Sequence, residues 1–256
     1  MKEIKKYLDE EREGKYAFYF GDLDGEYVYN YNEDMQITSA GCMKLMLAVV
    51  MLKKVEEGKF SLDELILVTE KDKRGGSGIL REFIERSYTL KELIISMLAI
   101  GDNTSTYKLM ELLGRDKING AFKAMGLQNT FLSETPGSTE NKTTARDMAR
   151  VIDLLYHNTY LTKQNSDFII NLLRGRGKSS MAFYLDYEDH QHFASKTGSA
   201  QGIENEVALI NTENGNFVFA IMSSDLPNSV YGMVSLAKAG MMIWNTIHTN
   251  WGSKRV

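Results

Sequence analysis

The spacing of apolar and polar positions changes period twice along this chain, and the changes mark three stretches. Residues 2–12 place apolar residues at helical intervals among charged ones, which predicts a short amphipathic helix. Residues 15–20 and 26–31 are rich in Tyr and Phe and are joined by Gly21-Asp22-Leu23-Asp24-Gly25, a good hairpin signal. Helical spacing then takes over. Residues 41–57 are apolar nearly all round, with Met43, Leu45, Met46, Leu47, Val49, Val50 and Leu52, so this helix is expected in the middle of the fold and ends at Gly58. Further helices are predicted over 89–100, 104–113, 116–125, 144–157 and 164–174. A period of two returns in 193–196, 206–211 and 217–222, the last two joined by Glu213-Asn214-Gly215-Asn216, and 229–249 reads as a closing amphipathic helix.

Strands at both ends with helices between them predict an α+β fold. An antiparallel sheet is built from both chain ends with flanking helices, and an all-helical lobe is inserted. The expected division is 1–35 with 187–256 as the α/β lobe and 36–186 as the helical lobe, with a cleft between them. No internal repeat or low-complexity linker interrupts this pattern.

Composition narrows the function. A net charge of -4 argues against nucleic acid as the main partner. A single cysteine, Cys42, excludes an intramolecular disulfide framework and a Cys-rich zinc site. No apolar run reaches the roughly 18 residues of a membrane span, and the first 20 residues lack a signal-peptide core. The expectation is a cytoplasmic protein, or an exported one from which a signal peptide has been removed. No cofactor and no metal are expected, and the protein is expected as a monomer. His190 and His192 stand at strand spacing, but without a third ligand nearby they read as surface residues.

Three short motifs carry the chemistry: Ser39-Ala40-Gly41-Cys42-Met43-Lys44 at the start of the apolar helix, Ile100-Gly101-Asp102-Asn103-Thr104 after a later helix, and Lys196-Thr197-Gly198-Ser199 on the first strand of the closing block. Their order and spacing resemble the S-x-x-K, S-D-N and K-T-G set of class A β-lactamases and penicillin-binding proteins. The resemblance runs over nearly the whole chain, through Val55-Glu56-Glu57-Gly58-Lys59 and Thr143-Thr144-Ala145-Arg146-Asp147-Met148-Ala149, and is bacterial in type. It implies a serine hydrolase fold acting by acyl transfer on a β-lactam or a D-Ala-D-Ala-like amide. In that reading Lys44 is the base, Asn103 contacts substrate and Lys44, and Lys196 and Thr197 hold the substrate carboxylate. Gly198 lets substrate lie along the strand, and the backbone N–H groups of Gly41 and Ser199 form the oxyanion hole.

Two departures matter. The nucleophilic serine is Gly41, and the S-D-N serine is Gly101. Ser39 is too far from Lys44 to substitute, and Cys42 is expected to face the core. The missing side chain at Gly41 is expected to leave room for a water or a ligand atom. No E-x-x-L-N pattern appears between residues 132 and 141, so Glu134 and Glu140 read as loop residues, with Glu134 the better candidate to reach the site. A parent with a serine would therefore release its acyl group slowly. The expectation is a hydrolase impaired as written; the rivals are a protein that binds or senses a carboxylate without chemistry, and a glutaminase-type amidase. Asp102-Asn103 could serve only as a helix cap, the 14 methionines read as core filler, and Gly75-Gly76-Ser77-Gly78 reads as a flexible loop on the rim of the site.

Overall fold

The computed structural model describes residues 1–133, 140–175 and 179–251. The chain opens with α1 (Lys2–Glu10), β1 (Lys15–Asp22), β2 (Val28–Tyr31) and the short β3 (Ile37–Thr38). A 3₁₀ turn at Ala40–Cys42 leads into α2 (Met43–Glu56). Then come β4 (Leu65–Val68), β5 (Arg86–Thr89), α3 (Leu90–Ala99), α4 (Asn103–Leu113), α5 (Arg115–Ala124), β6 (Lys142–Thr143), α6 (Ala145–Tyr156) and α7 (Lys163–Leu173). The chain closes with β7 (Phe193–Ala200), β8 (Ile203–Thr212), β9 (Gly215–Ser224) and α8 (Ser229–Asn250).

Five strands form one antiparallel sheet in the order β2-β1-β9-β8-β7, so the first and last parts of the chain pair at its centre. Side chains alternate across it as a period of two demands. Phe18, Phe20, Phe217, Phe219 and Ile221 face a cluster closed by Ile4, Leu8, Ile243, Ile247 and Trp251. Ala17, Val207, Leu209, Val218 and Ala220 face the other way and share one continuous core with the helices. At the centre of that core lies α2, buried at every position from Met43 to Leu52. Its lack of a polar face is what lets other elements surround it.

Local signals start the surrounding helices. Thr89 accepts from Glu92 N at 3.1 Å while the Glu92 carboxylate accepts from Thr89 N at 2.7 Å, a reciprocal cap. Thr144 caps α6 and Asn228 caps α8 through side-chain oxygens. Methionines 43, 46, 51, 97, 125, 148, 181 and 222 are all buried, as gap-fillers should be.

Several boundaries differ from the expectation. The chain finishes its turn at Tyr27, whose carbonyl accepts from Asp22 N, so β2 begins at Val28 rather than at 26. β7 runs four residues past 196, and β8 begins at Ile203 rather than at 206. The α-helix expected from residue 41 begins at Met43, and Gly41 belongs to the 3₁₀ turn before it. Two small sheets, β3 with β6 and β4 with β5, are additions. Among the described residues no helix is long and apolar enough to cross a membrane.

The aromatic face of the sheet makes a stability prediction. Phe18 has no exposed surface and stacks on Tyr29 at 5.9 Å between ring centres. Phe18→Ala should lower the unfolding free energy by about 3–5 kcal/mol, read from urea denaturation. Tyr187→Ala, at a position 87% exposed, should leave the midpoint nearly unchanged.

Candidate active site

Residues Gly41, Lys44, Gly101, Asn103, Lys196, Thr197, Gly198 and Ser199 all line one cleft of about 430 Å³ between the helices and the free edge of β7. Four elements converge to make it. The 3₁₀ turn carries Gly41, α2 carries Lys44, the α3–α4 connection carries Gly101 and Asn103, and β7 carries the last four.

Lys44 is 8% exposed, and its ammonium donates to Gly101 O at 2.5 Å and to Asn103 Oδ1 at 2.7 Å. Burial, with the charge of Lys196 added, lowers its pKa to about 8, while Asp102 pulls the other way. A lysine tuned this way can exchange a proton near neutral pH. Lys196 lies on the same side of β7 as the core, paired with Val207, and its Nζ donates to Thr197 O at 2.7 Å.

Asp102 is a helix cap. It caps α4 by accepting from Ser105 N at 2.8 Å, and its other oxygen accepts from Ile79 N and Leu80 N at 2.7 and 2.9 Å. Asn103 does more than cap, since it joins Lys44 to the glycine-rich loop by donating from Nδ2 to Gly75 O at 2.8 Å. That loop is therefore not free, as expected from its glycines, but is pinned along the start of α4. Asn103 N also donates to Ser77 O at 2.9 Å.

The two motif glycines, Gly41 and Gly101, sit in different local settings. A Cβ on residue 41 would lie 2.9 Å from Thr197 O and 3.2 Å from Gly198 Cα. The expected vacancy at Gly41 is thus not open, because the backbone of β7 occupies it. The contact is mutual: a Cβ on Gly198 would sit 2.6 Å from Cys42 N and 2.8 Å from Gly41 N. Gly198 therefore admits the turn as well as flanking any ligand along the strand. Gly101 has φ +71°, a left-handed conformation that costs other residues roughly 1–2 kcal/mol. Ala40 holds φ +45° without being glycine, so the turn that presents Gly41 carries strain.

Cys42 faces away from the cleft. It is fully buried, donates from Sγ to Lys196 O, and burial pushes its thiol up to about 12. Glu140 is exposed and does not line the cleft. Glu134 lies outside the described residues. Among the described residues lining the cleft there are two lysines and no carboxylate. His190 and His192 sit on a 3₁₀ turn, Tyr187–His192, not on a strand, and His192 packs on Trp244 with Nδ1 2.6 Å from Asn211 O.

Two residues outside the motifs, Asn205 and Glu204, hold parts of the site in place. Asn205, buried in β8, donates to Thr38 O at 2.8 Å and fixes the segment that leads into the turn. Glu204 accepts from Ser199 Oγ at 2.5 Å, which ties down a residue that lines the cleft. Two adjacent polar residues, Glu204 and Asn205, gave no sequence signal of a buried strand.

Comparison with known proteins agrees with this fold. The profile described as the Beta-lactamase enzyme family matches residues 1–247. The chain is 26% identical over 194 residues to Beta-lactamase Toho-1 of Escherichia coli, covering 72% of this chain and 67% of that protein. It is 26% identical over 148 residues to the D-alanyl-D-alanine carboxypeptidase DacF of Bacillus subtilis, covering 54% and 38%. Among solved structures, a beta-lactamase of Sphaerobacter thermophilus superposes with a TM-score of 0.86 at 24% identity, covering 94% of this chain and 95% of that one. PBP-A superposes with a TM-score of 0.88 at 21% identity, covering 96% and 95%.

The buried lysine predicts a pH dependence of stability. Its folded pKa of about 8 lies below the unfolded value of 10.5. Between those values the unfolded chain holds a proton that the folded chain has shed, so stability rises with pH in that window. Relative to Lys44→Met, the unmodified protein should gain on the order of 3 kcal/mol from about pH 8 to pH 10.5. Paired urea titrations across that range check it, and a gap that stays constant with pH would contradict it.

Proposed function

The chain belongs to the Beta-lactamase enzyme family, and we propose from that premise that it recognises a β-lactam or D-Ala-D-Ala-like amide without forming an acyl-enzyme. The observation that carries this reading is the pairing of a proton-exchanging Lys44 with a residue 41 that has no side chain.

The chemistry follows from what remains. A ligand amide or lactam carbonyl lies along β7 with its oxygen toward the backbone N–H groups of Gly41 and Ser199. Lys196 attracts the ligand carboxylate, and Thr197 donates a hydrogen bond to it. Asn103 holds Lys44 and contacts the ligand amide. Lys44 has no hydroxyl at residue 41 to deprotonate, so no covalent bond forms. Losing the nucleophile of a serine hydrolase costs about 10⁶ in kcat, roughly 8 kcal/mol, while binding and the oxyanion hole keep about 10³–10⁴ over water.

A second reading has its own support: Lys44 and Lys196 both line the cleft and bring it positive charge that suits an anion. In that reading the cleft holds or senses a carboxylate ligand and needs no acyl transfer.

Incubation with penicillin G followed by intact-mass spectrometry tests the first reading. The unmodified protein should show no adduct, and Gly41→Ser should show one that persists, since no carboxylate among the described lining residues activates a water for its hydrolysis. Because a Cβ at residue 41 meets Thr197 O, β7 must give by several tenths of an ångström, and acylation should be slow. No adduct with Gly41→Ser, nor with Gly101→Ser added, would overturn the reading. In that outcome, reversible binding of a carboxylate ligand that falls at least tenfold in Lys196→Ala would establish the second.

A further inference from the structure

Glycine at position 101 leaves a polar gap in the cleft, and the glycine-rich loop stands at its border. The point where a residue-101 Cβ would project is open. Its neighbours are Lys44 Nζ at 3.8 Å and Ser77 Cβ at 3.9 Å. Ser77 is exposed, lines the cleft, and reaches it from a different part of the chain.

We propose that Ser77 supplies, from the glycine-rich loop, the ligand-facing hydroxyl that position 101 lacks. This deepens the reading of the cleft as a β-lactam or D-Ala-D-Ala-like site and rests on it for the identity of the ligand. The oxygen of Ser77 lies one bond beyond its Cβ, within reach of the gap. There it accepts from the Lys44 ammonium and donates to an anionic oxygen of the ligand, as a hydroxyl can do at once.

Three observations support the placement. The backbone of the loop is held where this role needs it, because Ser77 O accepts from Asn103 N at 2.9 Å and Gly75 O accepts from Asn103 Nδ2 at 2.8 Å. Asp102 fixes the far end of the loop through Ile79 N and Leu80 N. The flanking glycines are required for that close approach, since a Cβ on Gly76 would lie 2.6 Å from Asn103 Nδ2, and one on Gly78 would lie 2.1 Å from Asp102 Oδ2. Of the four residues in Gly75-Gly76-Ser77-Gly78, only Ser77 brings a side chain. Position 101 itself is a poor place for one, given its left-handed backbone. The hydroxyl has moved to a neighbouring loop whose backbone can carry it.

The test reads proximity first and ligand second. In Ser77→Cys the introduced thiol should titrate about one unit below the ordinary value near 8.5, because a neighbouring ammonium favours the thiolate. Cys42 is silent in that assay, being fully buried with its thiol near 12. The midpoint, followed by the pH dependence of iodoacetamide labelling, should return toward 8.5 when Lys44→Met is added. A midpoint at or above 8.5 in Ser77→Cys alone would overturn the proposal, whatever the double variant does. For the ligand, Ser77→Ala should weaken reversible penicillin G binding about tenfold while Tm stays within about 1 °C of the unmodified protein. Unchanged affinity would also overturn it. If the unmodified protein binds no penicillin G at all, the ligand reading fails, and the thiol titration alone decides whether Ser77 occupies the gap beside Lys44.

Discussion

The fold depends on a backbone-to-backbone contact where the 3₁₀ turn of residues 40–42 meets the edge strand β7. Gly41 and Gly198 face each other there at distances that exclude a side chain on either as they now stand. The contact sets how far apart the helical block and the sheet can lie, and therefore how wide the cleft is. It also orients α2, since the turn is the entry to that helix, and through α2 it places Lys44. Asn205 secures the approach from below by binding Thr38 O, so the turn is anchored on two sides.

Around that contact the electrostatics are lopsided. Lys44 and Lys196 are both almost fully buried, and Lys196 contributes to lowering the pKa of Lys44. Inside a protein such charges are costly unless paired. Lys44 meets the cost with the carbonyl of Gly101 and the amide of Asn103, both neutral acceptors. The nearest compensating charge, Asp102, is itself committed to Ser105, Ile79 and Leu80. The positive charge that Lys44 and Lys196 bring to the cleft attracts an anion without needing a reactive side chain.

Much of this was legible in the sequence, for reasons that differ by element. The apolar run of α2 and the Tyr- and Phe-rich β1 stood out because their periods are strong, and the three motifs stood out because their order matches a known family. The start of β8 was hidden because Glu204 and Asn205 look like loop residues until Ser199 and Thr38 appear as their partners. β3 and β6 are two residues long, too short for any period to show. Within the site, residue types were readable but close approaches were not. Nothing in the one-dimensional order places Thr197 O against Gly41, or brings Ser77 beside Gly101. The glycines of residues 75–78 pointed to flexibility, whereas hydrogen bonds from Asn103 to Gly75 O and Ser77 O, and from Ile79 and Leu80 just beyond to Asp102, hold the loop in one path.

The pairing of β1 with β9 has a consequence for how the molecule is made. Lys15 lies opposite Ser224, so the central ladder of the sheet closes a loop of roughly two hundred residues. While a ribosome is still extending the chain, β1 has no permanent partner except β2, and a lone two-stranded ribbon is barely stable in water. Phe18 and Phe20 have only α1 and β2 to cover them until β9 and α8 have emerged. Birth of this protein therefore includes a long interval with a sticky aromatic strand on display, and its yield in a cell depends on what shields that strand until the far end arrives.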